Sequence, residues 1–441
     1  GLIRPLDFLL PIYRDYGPSH MSMKIGLSIY SRLAGQRQHR SFTKEETLEL
    51  NPLIREEYLA SGVGFRDAQV DDARLVLRLI SDGCLAGGTA MNYARVTGVE
   101  RDRSGHVAAV TVLESQTGRE TGIRTTAVIN ATGAWAEHLH PSPERGRHLR
   151  PLRGSHLIFP GTIFPLDRVL GFTHPEDSRS IFIFPWNGSS VLGTTDVDHE
   201  RPMDEEPRVT KKEADYLLDG LRFVMPRLDI SLDDCTSSMA GVRPVLSKMK
   251  KKASDESREH VVWEDRGLVT VTGGKLTTFR LLARDALKAA KKYFSGKFYS
   301  RSGRENRFQF PGPVKEDLLL QFPETARERL AGRYGRMAAR MVKHGDTKLF
   351  TPVEGTSTLW VELCHAAEYE QVVHLSDLLL RRVRVGLQLP CGGESLLDKI
   401  EAVCKPFLDW DRERWRKEKK AYVDLWQRCY APPRSGRISR K

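Results

Sequence analysis

The stretch that most constrains this chain is Gly273-Gly274-Lys275-Leu276-Thr277-Thr278-Phe279-Arg280, which closes an apolar strand, Leu268 to Thr272, and opens a helical pattern from Leu281 to Tyr293. Glycines at such a junction lack Cβ and tolerate positive φ, so backbone can come close to a ligand there. The helix start beyond them offers unpaired N–H groups and the positive end of a macrodipole, and Thr277 or Thr278 can cap it. A turn of this kind suits a phosphate, or a group that becomes negative during a reaction. The same residues also serve as a purely structural strand-to-helix turn, so the companions upstream decide between the two.

Asn130-Ala131-Thr132-Gly133-Ala134-Trp135-Ala136 follows the apolar strand Ala127 to Ile129, and Gly241-Val242-Arg243-Pro244 comes shortly before the double glycine. Between them lie Arg153-Gly154-Ser155-His156 and Gly193-Thr194-Thr195-Asp196. Small residues thus recur at strand ends, each beside a cation, an imidazole or a hydroxyl.

Composition narrows the field. The 441 residues are enough for two or three domains with substantial cores, and 40% hydrophobic content is ordinary for a globular protein. No apolar run reaches the roughly eighteen residues that cross a bilayer, and Phe8 to Tyr13 is too short for a signal peptide and is followed by Arg14 and Asp15. The net charge of +12 suits an anionic lipid surface, nucleic acid or a solvated basic face. Its densest runs are Lys248 to Lys252 and Arg412 to Lys420, neither with a nucleic-acid motif, so nucleic acid is not expected as a partner. Six scattered cysteines without a C-x-x-C pair argue against zinc and a redox dithiol, and no metal is expected.

Periodicity predicts an amphipathic helix over Met21 to Leu33, suited to a core or to a membrane interface. A second helix is expected from Asp71 to Leu85, then a hairpin of Ala90 to Glu100 and Val107 to Glu114 turning at Arg103 to His106, then a strand from Thr125 to Asn130. Short strands follow at Ser155 to Phe159, Ser180 to Pro185 and Val191 to Thr195, with one helix, Lys211 to Val224, capped by Thr210 and Glu213. Ser295 to Pro313 reads as a linker. Helical patterns run over Glu324 to Gly345, Trp360 to Glu370, Ser376 to Leu387 and Ser395 to Trp426, punctuated by Pro390 and Pro406, before a basic tail.

In order and spacing, these motifs resemble the FAD-dependent, quinone-linked glycerol-3-phosphate dehydrogenase family. Val70-Asp71-Asp72-Ala73-Arg74-Leu75 and Asp377-Leu378-Leu379-Leu380-Arg381-Arg382 extend the resemblance over most of the chain. It implies an α/β protein with a glutathione-reductase-like FAD-binding fold, an antiparallel-sheet cap domain and a C-terminal all-helical domain. One departure is plain: the strand, Gly-x-Gly-x-x-Gly turn and helix that hold the ADP half of FAD need about thirty residues, and no such fingerprint occurs here. The first βαβ unit is missing, as expected of a fragment of a longer chain or of a truncated product, and a start at Gly1 in place of Met favours the fragment. The expected division is residues 1–57 as part of the cap with the amphipathic helix, 58–148 as part of the FAD-binding domain, 149–266 as the substrate and cap domain, 267–296 as the closing strand and helix of the FAD-binding domain, 297–313 as linker, 314–430 as the helical domain and 431–441 as a disordered tail.

The resemblance further implies oxidation of sn-glycerol 3-phosphate to dihydroxyacetone phosphate. Its partners would be a membrane quinone and the cytoplasmic face of the inner (plasma) membrane, where the protein would sit peripherally; a homodimer is compatible. Arg243, stiffened by Pro244, is the main candidate for the phosphate, with Lys275 and Arg153 as further cations. His156 is the candidate base, since a free imidazole titrates near neutrality, and Thr195 positions base or substrate. Catalysis is thus expected from His156, Lys275 and Arg243. On the cofactor side, Ala131, Thr132, Gly133 and Trp135 form one FAD-contacting turn, Gly273, Gly274, Lys275, Leu276 and Thr277 the flavin-side turn, and Arg95 and Val96 approach adenine. Two alternatives stay open: another FAD-dependent amino-acid or 2-hydroxy-acid oxidoreductase of the same superfamily, or a truncated, non-catalytic remnant.

Overall fold

The computed structural model describes residues 2–33, 39–140, 149–247, 259–294, 322–342 and 346–433, with backbone alone at 31–33. The expected linker 297–313 and nearly all of the tail lie outside these residues.

Fifteen strands are distributed over three sheets among the described residues. The chain opens with β1 (Ile3–Tyr13), helix α1 (His20–Leu33), β2 (His39–Phe42), α2 (Lys44–Leu50), β3 (Leu59–Val70) and α3 (Asp72–Leu85). A small sheet follows from β4 (Ala94–Arg101), β5 (Val107–Glu114) and β6 (Glu120–Arg124). Next come β7 (Val128–Asn130), α4 (Ala136–Leu139), β8 (Leu149–Pro160), β9 (Val169–Thr173), β10 (Ser180–Trp186), β11 (Ser189–Gly193), β12 (Val197–Asp198), α5 (Lys211–Val224) and β13 (Ser237–Leu246). Strands β14 (His260–Asp265) and β15 (Leu268–Gly273) lead into α6 (Phe279–Ala290). The remainder is helical: α7 (Glu324–Tyr334), α8 (Ala338–Val342), α9 (Trp360–Tyr369), α10 (Val385–Gln388), α11 (Leu397–Cys404) and α12 (Arg412–Cys429).

The largest sheet runs β12-β8-β11-β10-β9-β1-β3-β2, with β13 also paired to β8. All its pairings are antiparallel except β1 with β9, which is parallel. One face is covered by α5, whose Ala214, Leu217, Leu218, Leu221 and Val224 pack on Leu157, Phe159, Ile181 and Ile183. Helix α5 starts as its sequence predicts: Glu213 N–H donates to Thr210 Oγ1 (3.3 Å) and Thr210 N–H to Glu213 Oε2 (3.0 Å), a reciprocal cap. The other face carries Ile158 and Val191 into the core of the helical region, with Leu378, Leu379, Leu387 and Trp426.

The sheet that carries the two glycine turns is small. In the order β14-β15-β7, β15 is antiparallel to β14 and parallel to β7. Its own core is Val269, Val271, Ala286 and Ala290 beneath α6, while Ile129, Leu281 and Leu287 stay exposed.

Three expectations need adjusting. Strand β3, placed with the cofactor unit by a division at 57/58, pairs along its length with β1 in the large sheet. The helix expected over Glu324 to Gly345 breaks at Gly335, whose φ of 52° opens a tight turn between α7 and α8. The helix expected over Ser376 to Leu387 is a widened turn from Asp377 to Arg382, then left-handed Arg384 (φ 59°), then α10.

The two motifs shared outside the cofactor turns clamp these parts together. Asp71 accepts Arg74 N–H at the start of α3 (3.0 Å) and pairs with Arg333 of α7 (2.6 Å) and with Arg384. Arg74 forms a two-pronged pair with Glu370 (2.7 and 2.9 Å). Asp377 accepts Tyr93 O–H (2.8 Å) and the N–H groups of Val373 and His374 (3.0 and 2.9 Å).

Candidate active site

Each cofactor-side turn is shaped by a specific contact. Gly273 and Gly274 have φ of 75° and 76°, a region that disfavours side chains, and a Cβ on Gly273 would lie 2.6 Å from Glu259 O. Gly274 N–H donates to Glu259 O (3.2 Å) and Lys275 N–H to Thr278 Oγ1 (3.3 Å). N–H groups from Gly274 to Thr277 would suit a developing negative charge, but those of Gly274 and Lys275 are engaged within the protein in this way. Thr278, at the N-cap of α6, turns its hydroxyl back to Lys275 O (2.9 Å). Lys275 itself is exposed at the turn.

The turn after β7 is stapled by a buried amide. Asn130 Nδ2 donates to Ala136 O (2.8 Å) and Thr270 Oγ1 (3.2 Å), and its Oδ1 accepts Thr132 O–H (2.7 Å). Gly133 has φ of 62°, and its carbonyl accepts Thr272 O–H (3.1 Å). The two turns are therefore joined through Thr270 and Thr272 of β15, and Ala131, Thr132 and Trp135 stand open to solvent beside them. Arg95 is exposed and Val96 half-buried on β4, which packs next to α4 just past the Gly133 turn. Neither residue makes a hydrogen bond to the two turns among the described residues.

The substrate-side residues sort by strand alternation on β8. Gly154 and His156 share one face, Arg153 and Ser155 the other. On the first face, the Arg243 guanidinium of β13 lies over Gly154: a Cβ there would run into Nη2 and sit 2.7 Å from Cζ. Arg243 Nη2 donates to Thr194 Oγ1 (3.1 Å), and Nη1 to Thr195 O (3.4 Å) and Asp196 Oδ1 (3.3 Å). The His156 ring lies over Gly193, where a Cβ would be 2.9 Å from Nε2. Burial, reinforced by the positive charge of Arg243, pushes the His156 imidazole down to about 4, so it is neutral near pH 7 and a weaker base than a free imidazole.

Arg153 does not share that face. It forms a buried pair with Glu213 (Nε to Oε1 3.2 Å, Nη2 to Oε2 2.8 Å), so alternation turns it toward α5 rather than toward an anion. Thr195 is buried as well: its Oγ1 accepts Ser155 N–H (3.0 Å) and donates to Glu213 Oε1 (3.1 Å). Burial alone would raise the Glu213 carboxyl, but hydrogen bonds from Arg153, Thr210 and Ser155 hold it below its ordinary value.

The two halves meet along β13. That strand pairs with β8 from Ser237 to Leu246 and packs beside both β15 and the Gly133–Trp135 turn. A Cβ on Gly273 would be 3.4 Å from Leu246 Cδ1. Arg243 of β13 and His156 of β8 are thus brought to one face of the sheet, and β13 adjoins the two glycine turns. Sequence reasoning missed three contributors: Asn130, Glu213 and the Thr194–Asp196 cradle of Arg243. Asn130 and Thr194 stood inside quoted motifs without assigned contacts, Thr195 was expected to position base or substrate rather than to hold Arg243, and Glu213 was legible only as a helix cap.

Comparison with known proteins places this arrangement. Residues 274–415 match the C-terminal domain of alpha-glycerophosphate oxidase. The aerobic glycerol-3-phosphate dehydrogenase of Staphylococcus aureus (strain MRSA252) is 28% identical over 401 residues, covering 86% of this chain and 72% of that protein. Among solved structures, the glycerol-3-phosphate dehydrogenase of Bacillus halodurans complexed with FAD has a TM-score of 0.70 at 24% identity, over 96% of this chain and 82% of that one. A glycine oxidase from Bacillus cereus shares the fold more loosely, at a TM-score of 0.50 and 17% identity over 66% of this chain and 72% of that one. The FAD dependent oxidoreductase model matches residues 5–285, and with well over half its length accounted for in this way, the chain belongs to the FAD-dependent oxidoreductase family.

Proposed function

We propose that this protein oxidises sn-glycerol 3-phosphate to dihydroxyacetone phosphate, with electrons passing on to a membrane quinone. The observation that carries the reading is the Arg243 guanidinium over Gly154, next to a neutral His156, on strands that adjoin two glycine turns. The names of the relatives, and the helical region's match to alpha-glycerophosphate oxidase, support the choice of substrate.

The residues present fit the flavin end of FAD. Ala131, Thr132 and Gly133 offer backbone close to a dinucleotide, and Gly273 to Thr277 offer a helix start; Val96 and Arg95 are proposed toward adenine. FAD, when bound, supplies the hydride acceptor. Arg243 would hold the phosphate dianion through its planar fork, and Lys275 would add a second positive charge. His156 would take the alcohol O–H proton on an imidazole nitrogen, being unprotonated at neutral pH. The Leu276 and Thr277 N–H groups would face negative charge as it develops. Arg153 is better assigned to holding Glu213.

Membrane contact is part of the same proposal. Among the described residues no helix is long and apolar enough to cross a bilayer. Helix α1 packs Leu27 inward with Ile12 and Val63, yet leaves Met21, Ile25 and Ile29 more than half exposed at i, i+4 and i+8. That stripe, on a chain of net charge +12, suits an anionic interface. Pairing of two copies is compatible with it.

The test is spectroscopic. The full chain, loaded with FAD under anaerobic conditions, should show a flavin band that bleaches on addition of sn-glycerol 3-phosphate. Bleaching by glycine or another amino acid alone would favour the oxidase reading. A chain that takes up no flavin would favour a binding protein without redox chemistry.

A further inference from the structure

We propose that Glu213, on the far side of the large sheet from the anion site, is the positioning residue that sets the Arg243 guanidinium for phosphate. The inference rests on the reading that Arg243 grips the phosphate. It comes from the division of labour between the two oxygens of one buried carboxylate.

Oε2 serves the helix: it accepts Thr210 N–H (3.0 Å) and Thr210 O–H (2.7 Å), completing the cap of α5. Oε1 serves the strand end: it accepts Ser155 O–H (2.7 Å) and Thr195 O–H (3.1 Å). Arg153 spans both oxygens and keeps the carboxylate charged inside the protein. A helix cap requires only the first set. The second set fixes Thr195, whose hydroxyl also receives Ser155 N–H (3.0 Å). Thr195 stands between Thr194 and Asp196, and the three residues supply three acceptors for Arg243: Thr194 Oγ1, Thr195 O and Asp196 Oδ1.

The chain of contacts is therefore Glu213 Oε1, Thr195 Oγ1, the 194–196 backbone, and then the Arg243 fork. An arginine that donates to three acceptors on one short segment takes its orientation in good part from that segment. Bidentate anion recognition depends on the plane of the fork. Glu213 thus sets affinity without touching the ligand. Glutamine at 213 would turn one oxygen into an N–H donor, opposing either Arg153 or the incoming hydroxyls.

The experiment measures binding of inorganic phosphate and of sn-glycerol 3-phosphate to the full chain by titration calorimetry, with thermal melting alongside. Four variants are compared: Glu213→Gln, Thr195→Val, Thr210→Ala and Arg243→Gln. Thr195→Val breaks the link from Glu213 to the strand end, together with the bond from Ser155 N–H, and leaves the helix cap intact. Thr210→Ala breaks only the link to the helix cap. Losing one hydrogen bond to a charged group corresponds to about tenfold in affinity. Glu213→Gln and Thr195→Val should therefore weaken both ligands about tenfold, whereas Thr210→Ala should lower the melting temperature and leave both affinities within about twofold. If Glu213→Gln does not fold, Thr195→Val carries the comparison alone. Folded Thr195→Val or Glu213→Gln protein that binds like the parent overturns the inference, as does Thr210→Ala weakening binding to the same extent. Failure of the parent chain to bind phosphate, or retention of binding in Arg243→Gln, instead overturns the underlying assignment of Arg243.

Discussion

The Arg243 guanidinium lies over Gly154 of the neighbouring strand, and the absence of a side chain at 154 is what admits it. Glycine in the interior of a strand is intrinsically unfavourable. Here a close approach accounts for it.

Replacing Gly154 with alanine should therefore leave the sheet paired but push Arg243 off Thr194. Phosphate affinity is expected to fall at least about tenfold while the melting temperature moves little, because alanine suits a strand no worse than glycine. Calorimetric titration with inorganic phosphate checks this, with circular dichroism confirming the fold.

His156 makes stability depend on acid. Its imidazole is lowered to about 4 in the folded protein, against roughly 6.5 when unfolded. The unfolded chain binds the proton first, so stability is complete above pH 6.5 and declines as the pH falls toward 4. The depression corresponds to about 3 kcal/mol at its full extent. Urea midpoints between pH 7.5 and 4.5 should fall more steeply in the parent than in His156→Gln. Equal slopes would show that the ring is not the group responsible.

Gly273→Ala should be harmful in a different way. The added Cβ meets Glu259 O at 2.6 Å, and φ is 75°. Forcing that conformation on alanine costs about 1–3 kcal/mol, concentrated in the turn from β15 into α6. Hydrogen exchange should speed up at Gly274 N–H, and retention of FAD on a desalting column should drop.

Asp71→Asn should loosen the helical region from the rest. Arg333 and Arg384 would be left facing an amide, and breaking a buried ion pair by removing one partner destabilises by about 3–5 kcal/mol. Differential scanning calorimetry should show the unfolding peak broaden or split, since α3, α7 and α10 are joined at that carboxylate.

How legible was this in the sequence? Strand-to-helix turns were legible because glycines at 133, 273 and 274 mark backbone that other residues avoid, and α5 was legible because Thr210 and Glu213 spell out its cap. Contacts between distant segments were not. Arg153 looked like Arg243, both beside a glycine in a strand-end motif. Which face of β8 each would occupy depended on pairing with β13 and on the position of α5, neither of which local pattern encodes. The break at Gly335 and the left-handed Arg384 were hidden for the same reason, since α7 and α10 are held by ion pairs to α3 rather than by their own periodicity. The joining of β1 with β3 was missed because α1, β2 and α2 intervene.

Strand β13 has one more consequence. It touches the face proposed to hold the anion through Arg243 and the glycine turn of β15 through Leu246, three residues apart on one strand. Any shift of that strand by an occupant at either end alters the fit at the other. Linkage then requires the two affinities to change by one common factor, whichever molecule arrives first.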